Sequence, residues 1–222
     1  GDLPILGVSA REDARDALVL PLGEAELNFA QPLGTSSPRR AMQLGRLFPQ
    51  MEIKSVRGNV QTRLAKLDRG EYSGLVLAAA GLKRLGLEER ISRYFTVEEM
   101  IPAAGQGILA IQGRQGEDYG YLEGFFDEKA AYCAAAERSF VRALGGGCSS
   151  PIAAYAKIVP AGNGTGAENS GGEEILTLTG LYAREDGREY KTASVAGKKE
   201  EAERLGEALA REIRFAMQSR GN

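Results

Sequence analysis

The sequence contains no histidine. That excludes a histidine general base, a Ser–His triad and imidazole metal ligands, and it leaves acid–base work to Asp, Glu, Lys, Tyr or Cys. Cysteine is nearly as scarce, with Cys133 and Cys148 the only two. The stretch "EKAAYCAAAERSFVRAL" reads as an alanine-rich helix over residues 128–144, which puts Cys133 about 16 Å of axial rise from the helix end. The glycines that follow span only about 10–14 Å when fully extended. A disulfide needs Cα atoms within about 7 Å, so none is expected. Two lone thiols fit a reducing cytoplasm, and without histidine they make a poor zinc site. No apolar run approaches the ~18 residues of a membrane span; the longest is "LVLAAAGL" at 75–82. No basic opening followed by an apolar stretch marks a signal peptide. The chain starts at Gly1 without Met, which is compatible with a removed upstream segment. Excess positive charge is also missing. There are 28 basic and 30 acidic side chains, a net charge of −2, so no global field draws the protein to nucleic acid. Any anion it binds must be held by a local cluster.

What is present is ordinary for a globular chain of 222 residues, with 43% hydrophobic and 26% charged residues. That length fits one to three domains. The opening "LPILGVSAREDARDALVLP" has too little apolar surface to fold alone. Residues 28–104 read as an α/β domain. A strand leads into "GTSSPRRAMQLGRL", where Ser36 or Ser37 caps a helix and Pro38 suits its first turn. "MEIKSV" alternates like a strand, and "RGNVQTRLAKLDRG" is a helix capped by Asn59 and stopped at Gly70. "GLVLAAA" is a continuous apolar run of the kind found in a doubly buried strand. The βαβαβα order predicts a mainly parallel sheet. "IPAAGQGILAIQGR" leads out of that domain, and its GQG is too short for a phosphate loop and reads as a hinge or tight turn. Residues 124–222 read as α+β: the Cys133 helix, strands near 152–159, 174–182 and 189–196, and a final amphipathic helix near 198–218. A Gly/Asn/Ser-rich loop lies between the first two of those strands.

The arginines of the middle domain fall at one edge. Arg39 and Arg40 begin its first helix, Arg57 ends the second strand, Arg63 lies in the next helix and Arg84 follows the third strand. All come from the carboxyl edge of the sheet, where open α/β folds bind ligands. Helix N-termini there favour anions, and Thr35, Ser36 and Ser37 add hydroxyls. Guanidinium forks grip carboxylates and phosphates bidentately, so the pattern calls for a ligand with several of either. Set against this is the plainer reading, in which each arginine is solvated or paired with a nearby carboxylate.

Cys148 closes the stretch "ALGGGCSSPI". Three readings stand beside one another: a packed spectator, a nucleophile, or an attachment point for a covalent group. The thiol follows a helix C-terminus and has no histidine neighbour, which disfavours a thiolate and weakens the nucleophile reading. Cys133, in mid-helix, reads as core.

Four stretches and a fifth between them, "GTSSPRR" (34–40), "VRGNVQTRLAKLD" (56–68), "AAAGLKRLG" (78–86), "PAAGQG" (102–107) and "GGGCSSPI" (145–152), closely resemble the porphobilinogen deaminase (hydroxymethylbilane synthase) family over nearly the whole chain. The resemblance implies an enzyme of haem biosynthesis that condenses four porphobilinogens into a linear tetrapyrrole. It implies a dipyrromethane cofactor joined to Cys148 by a thioether, formed when the thiol attacks the azafulvene left as porphobilinogen loses ammonia. It implies that Ser37, Arg39, Arg40, Arg57 and Gln106 bind this cofactor and that Arg57, Arg63 and Arg84 bind substrate through acetate and propionate groups. The implied fold is a periplasmic-binding-protein-like domain over 28–104, a C-terminal α+β domain with a three-stranded antiparallel sheet over 124–222, and a remnant of a first α/β domain over 1–27 and 105–123. The family's catalytic aspartate is expected in a segment before Gly1; Asp13 and Asp16 follow that segment and do not replace it. This chain by itself is therefore expected to show negligible deaminase activity. Gly145 stands where the family usually has an acidic residue, so a looser loop is expected there. A cytoplasmic monomer is implied, with porphobilinogen as the small-molecule partner, no membrane or nucleic acid, and handover of product to uroporphyrinogen-III synthase. The alternative is a non-catalytic polycarboxylate-binding module, which would need no cysteine at 148.

Overall fold

The computed structural model describes residues 3–147, 150–161, 174–184 and 189–218. Cys148 and the loop at 162–173 lie outside the described residues. Ten strands and five α-helices are found among those described.

The middle of the chain builds a five-stranded sheet in the order β4-β3-β5-β2-β6. Strands β3 (Leu33–Gly34), β4 (Ile53–Lys54) and β5 (Gly74–Ala78) run parallel. Strand β2 (Asp16–Val19) runs antiparallel to both β5 and β6 (Arg93–Tyr94). The sheet is therefore mixed, which corrects the expected mainly parallel one. It also draws residues 16–19 out of the first unit, where the sequence reading put residues 1–27. The reason is burial on both faces. Ala17 and Val19 pack with Leu64, Leu67, Leu75 and Leu77, whereas Leu18 and Leu20 pack with Leu33, Leu44, Val76 and Phe95. A run that is apolar on both faces needs a central place in a sheet with two covering layers.

Helix α1 (Pro38–Leu47) starts as its sequence predicts: Ser37 is the N-cap, its hydroxyl accepts from the Arg40 amide, and Pro38 opens the first turn. Helix α2 (Val60–Asp68) is capped by Asn59, which accepts from the Thr62 amide at 2.8 Å. The short α3 (Ala79–Arg84) follows β5 directly. Strand β1 (Ile5–Val8) pairs antiparallel with β7 (Ala110–Gln112). Between the sheets, the GQG stretch forms a tight turn. Gly107 has φ +87, and a Cβ there would meet the Glu12 carbonyl oxygen at 2.5 Å, so only glycine fits.

The last third is a three-stranded antiparallel sheet, β10-β9-β8, with two helices on one face. Its strands are β8 (Ile152–Pro160), β9 (Glu174–Ala183) and β10 (Tyr190–Lys198). Its helices are α4 (Glu128–Ala143) and α5 (Ala202–Gln218). Phe140, Leu176, Leu178, Leu209 and Ile213 are fully buried between them.

Glu137, on α4, ties the three parts together. Its carboxylate is fully buried and receives Arg11 Nη2 on both oxygens, at 2.8 and 2.9 Å. The amides of Gly105, at 2.6 Å, and Ala156, at 2.7 Å, complete its partners. Burial pushes this carboxyl above its ordinary value, while Arg11 and the two amides pull the other way. Removing one partner of a buried pair strands the other charge. Glu137→Ala should therefore lower stability by about 3–5 kcal/mol, read as a shift in the midpoint of urea unfolding.

Candidate active site

The antiparallel course of β2 decides the site. It brings the N-terminal end of β2 to the carboxyl edge of β3, β4 and β5, so that Asp16 pairs in register with Ala78, the last residue of β5. Helix α1 begins at the same edge, and Arg39 and Arg40 lie in its first turn. Asp16 is fully buried there, and Arg39 is only 3% exposed.

The result is a closed ring. Arg39 Nη1 donates to Asp16 Oδ2 and to the Ile101 carbonyl, both at 2.7 Å. Arg40 Nε donates to Asp16 Oδ1 at 2.9 Å, and its Nη2 lies 2.8 Å from the same oxygen. Gln106, presented by the glycine turn, donates from Nε2 to Asp16 Oδ1 at 3.0 Å and to the Ala14 carbonyl at 2.6 Å. Its Oε1 accepts from Arg39 Nη2 at 3.3 Å and Arg40 Nη2 at 3.4 Å. Gln43 holds Ile101 in place by exchanging hydrogen bonds with its backbone, at 2.8 and 3.1 Å. Burial works to raise the Asp16 carboxyl, but the charges of Arg39 and Arg40, with Gln106, outweigh it and hold the carboxyl below its ordinary value.

The other sequence-predicted residues fall around this ring. Ser37 and Arg39 line a cavity of about 320 Å³ with Ala103, Ala104, Arg138 and Arg142. Gly147 and Ser150, the described residues on either side of Cys148–Ser149, line the same cavity. Arg40 and Gln106 belong to the ring and are not among the residues lining the cavity. Arg57, Arg63 and Arg84 stand apart from the ring. Arg57 is exposed, and Arg63 is half-buried with its Nε donating to the Gly58 carbonyl at 2.8 Å. Neither has a carboxylate within ion-pair distance among the described residues. Arg84 is exposed and donates to the Gly107 carbonyl at 2.9 Å, next to Gln106.

Three residues escaped the sequence reading. Asp16 is no substitute for a catalytic aspartate, but it has a place in the ring; its signal is an acid set directly against the apolar run "ALVL". Arg138 and Arg142 stand four apart on α4, a spacing that puts them on one face, and both reach the cavity from the C-terminal unit. Arg142 also approaches Glu203 at 3.5 Å.

Helix α4 ends in a closed Schellman motif. The Gly145 amide donates to the Arg142 carbonyl at 2.9 Å, and the Gly146 amide to the Val141 carbonyl at 3.1 Å. Gly145 has φ +71, the left-handed conformation that this motif asks of its glycine. Glycine at this position thus closes the helix end; the looser loop expected beyond it runs through Cys148–Ser149, outside the described residues. Cys133 is a free thiol only 7% exposed, and burial pushes it up to about 11.

A depressed carboxyl stabilises the folded state above the unfolded-state value and loses that contribution as pH falls through the folded one. For Asp16 the loss therefore begins below its ordinary value of 3.8 and deepens with acid. Urea unfolding followed from neutral pH to below that value should show a fall in stability that is shallower in Asp16→Asn.

Residues 1–120 match the family model described as "Porphobilinogen deaminase, dipyromethane cofactor binding domain". Residues 131–214 match "Porphobilinogen deaminase, C-terminal domain". The porphobilinogen deaminase of Ruminiclostridium cellulolyticum is 51% identical over 211 residues, covering 95% of this chain and 67% of that protein. Those of Alkaliphilus oremlandii and Acetivibrio thermocellus are 48% and 49% identical, covering 96% and 95% of this chain and 67% and 68% of theirs. The chain thus spans about two thirds of the length of these relatives. With both models matched in order and half the residues shared with enzymes of one name, the chain belongs to the porphobilinogen deaminase family.

Proposed function

We propose that this chain supplies the primer-binding and substrate-binding part of the family's transferase reaction, with a dipyrromethane primer attached at Cys148; Asp13 and Asp16 do not replace the family's catalytic aspartate, so the chain by itself is expected to show negligible deaminase activity. Porphobilinogen units add one at a time, each forming a carbon–carbon bond and releasing ammonia, and water finally frees the linear tetrapyrrole. The observation that carries this reading is the cavity lined by Ser37, Arg39, Arg138 and Arg142 together with Gly147 and Ser150, the residues that flank Cys148–Ser149. The residues present suit the group. Ser37 and three arginines, Arg39, Arg138 and Arg142, line one space, and Arg39 Nε is buried without a partner among the described residues. Guanidiniums stay charged at every working pH, so such a site holds carboxylates throughout.

When bound, the primer supplies the free pyrrole end to which each unit is added. The chain's own residues bind and orient. Ser37, Arg39, Arg40, Arg57 and Gln106 serve the primer, and Arg57, Arg63 and Arg84 receive the carboxylates of incoming substrate. Arg138 and Arg142 join them from the opposite wall. In this reading the molecule has a periplasmic-binding-protein-like middle domain over 28–104, completed by the strand at 16–19. It has a cofactor-carrying domain over 124–222 and a first-domain remnant formed by the rest of 1–27 with 105–123. It works in the cytoplasm as a monomer and passes its product to uroporphyrinogen-III synthase; no helix among the described residues is long and apolar enough to cross a membrane. A non-catalytic anion-binding module is not favoured, since the relatives named above carry the enzyme's name.

Intact mass under denaturing conditions, after incubation with porphobilinogen, tests the attachment. An adduct of two pyrrole units is expected on the unsubstituted chain and none on Cys148→Ser. An adduct that persists in Cys148→Ser, or none on either chain, overturns the assignment.

A further inference from the structure

The ring around Asp16 holds more positive charge than negative: two guanidiniums share one carboxylate. Its members are not equally accessible. Arg39 is buried, with Nη1 committed to Asp16 and Ile101 and Nη2 to Gln106. The Arg40 side chain keeps 12% of its surface and is the more open of the two. Arg57 and Arg63, by contrast, carry full charges without a carboxylate partner among the described residues.

Two consequences follow for a carboxylate entering the site. The first is direction. Both Asp16 oxygens are taken, Oδ2 by Arg39 and Oδ1 by Arg40 and Gln106, so the planes of both guanidiniums are fixed before any ligand arrives. The Gln106 amide is fixed as well, because its Nε2 faces Asp16 and Ala14 while its Oε1 faces the arginines. Such fixed donors lose little freedom on binding. The second is strength. With Asp16 in place the arginine pair presents a single net positive charge, so a ligand carboxylate is held by one charge rather than two. A chain that lengthens by repeated addition, carrying carboxylates on every unit, must shift its carboxylates along the site. Half-neutralised hosts allow that movement where two bare guanidiniums would oppose it.

We infer that Asp16 is a positioning residue for the reaction: it aims Arg39 and Arg40 and limits the pair to one net charge, which sets how tightly a pyrrole carboxylate is held. This rests on the reading of the site given above. It goes beyond that reading by giving a function to a carboxylate that touches no ligand.

Two substitutions separate direction from charge. Asp16→Glu keeps the charge and displaces it by one methylene. Asp16→Asn keeps the size, removes the charge and leaves one accepting oxygen where there were two, so it also releases the guanidinium that faced the other. Both are made in a Cys148→Ser background, where no thioether forms and the primer's place at Arg39 and Arg40 is left to free porphobilinogen, whose binding there is measured by calorimetry at low and high salt with folding checked by thermal melting. Asp16→Glu should weaken binding about tenfold, the loss of one well-aimed charged hydrogen bond, with the salt dependence unchanged. Asp16→Asn should tighten it, with a steeper salt dependence from the additional uncompensated charge. A purely structural aspartate would lower the melting temperature of both variants and leave the affinity of the folded protein untouched, and that result overturns the inference. So does a shift of the same sign in both. If Asp16→Asn does not fold, Asp16→Glu decides alone: a folded variant with unchanged affinity overturns the inference. Failure of the parent Cys148→Ser chain to bind porphobilinogen at all would instead overturn the functional reading, and the inference with it.

Discussion

The architecture turns on a buried carboxylate that must be paired. An isolated ionised group in a protein interior costs several kcal/mol, so Asp16 can occupy its fully buried position only with Arg39 and Arg40 beside it. That requirement links three parts of the chain that are far apart in sequence: the start of β2, the first turn of α1 and the glycine turn that carries Gln106. Ile101, held by Gln43 of α1, adds a fourth. The sheet edge, the helix start and the exit from the domain are therefore one electrostatic unit. A second buried carboxylate, Glu137, does the same between α4, the Arg11 loop, the glycine turn and β8. The two units meet at the turn, where Gly105 serves one and Gln106 the other.

Much of this was legible in the sequence, for local reasons. Caps and stops are written in single residues, and Ser37, Pro38, Asn59 and Gly70 act where their chemistry says they should. The apolar run of β5 announced a doubly buried strand. The three strands and two helices of the last third followed from period and length. The motif at the carboxyl edge was readable because strand–helix junctions put residues there without any knowledge of long-range pairing.

What was not legible depended on pairing between distant segments. β2 is four residues long, and nothing local says that it lies antiparallel beside β5. Without that placement Asp16 is only an acid in a charged stretch, and Arg39 and Arg40 look like free hosts for a ligand. The same blindness hid Arg138 and Arg142. Their helix was foreseen, but not that its one face closes a cavity against Ser37 and Ala103–Ala104. Gly145 has a local role that the sequence did not announce. At the end of α4 it supplies the left-handed turn that ties the helix off.

The burial of Cys133 has a consequence for chemoselectivity. In the proposed reaction an electrophile meets a chain with two thiols, either of which could be alkylated. Carried by α4 on its buried side, with its ionisation pushed up to about 11 by burial, Cys133 is screened from solvent and held away from the reactive thiolate. The hydrophobic core of the last domain thus serves as a protecting group, masking one sulfur permanently.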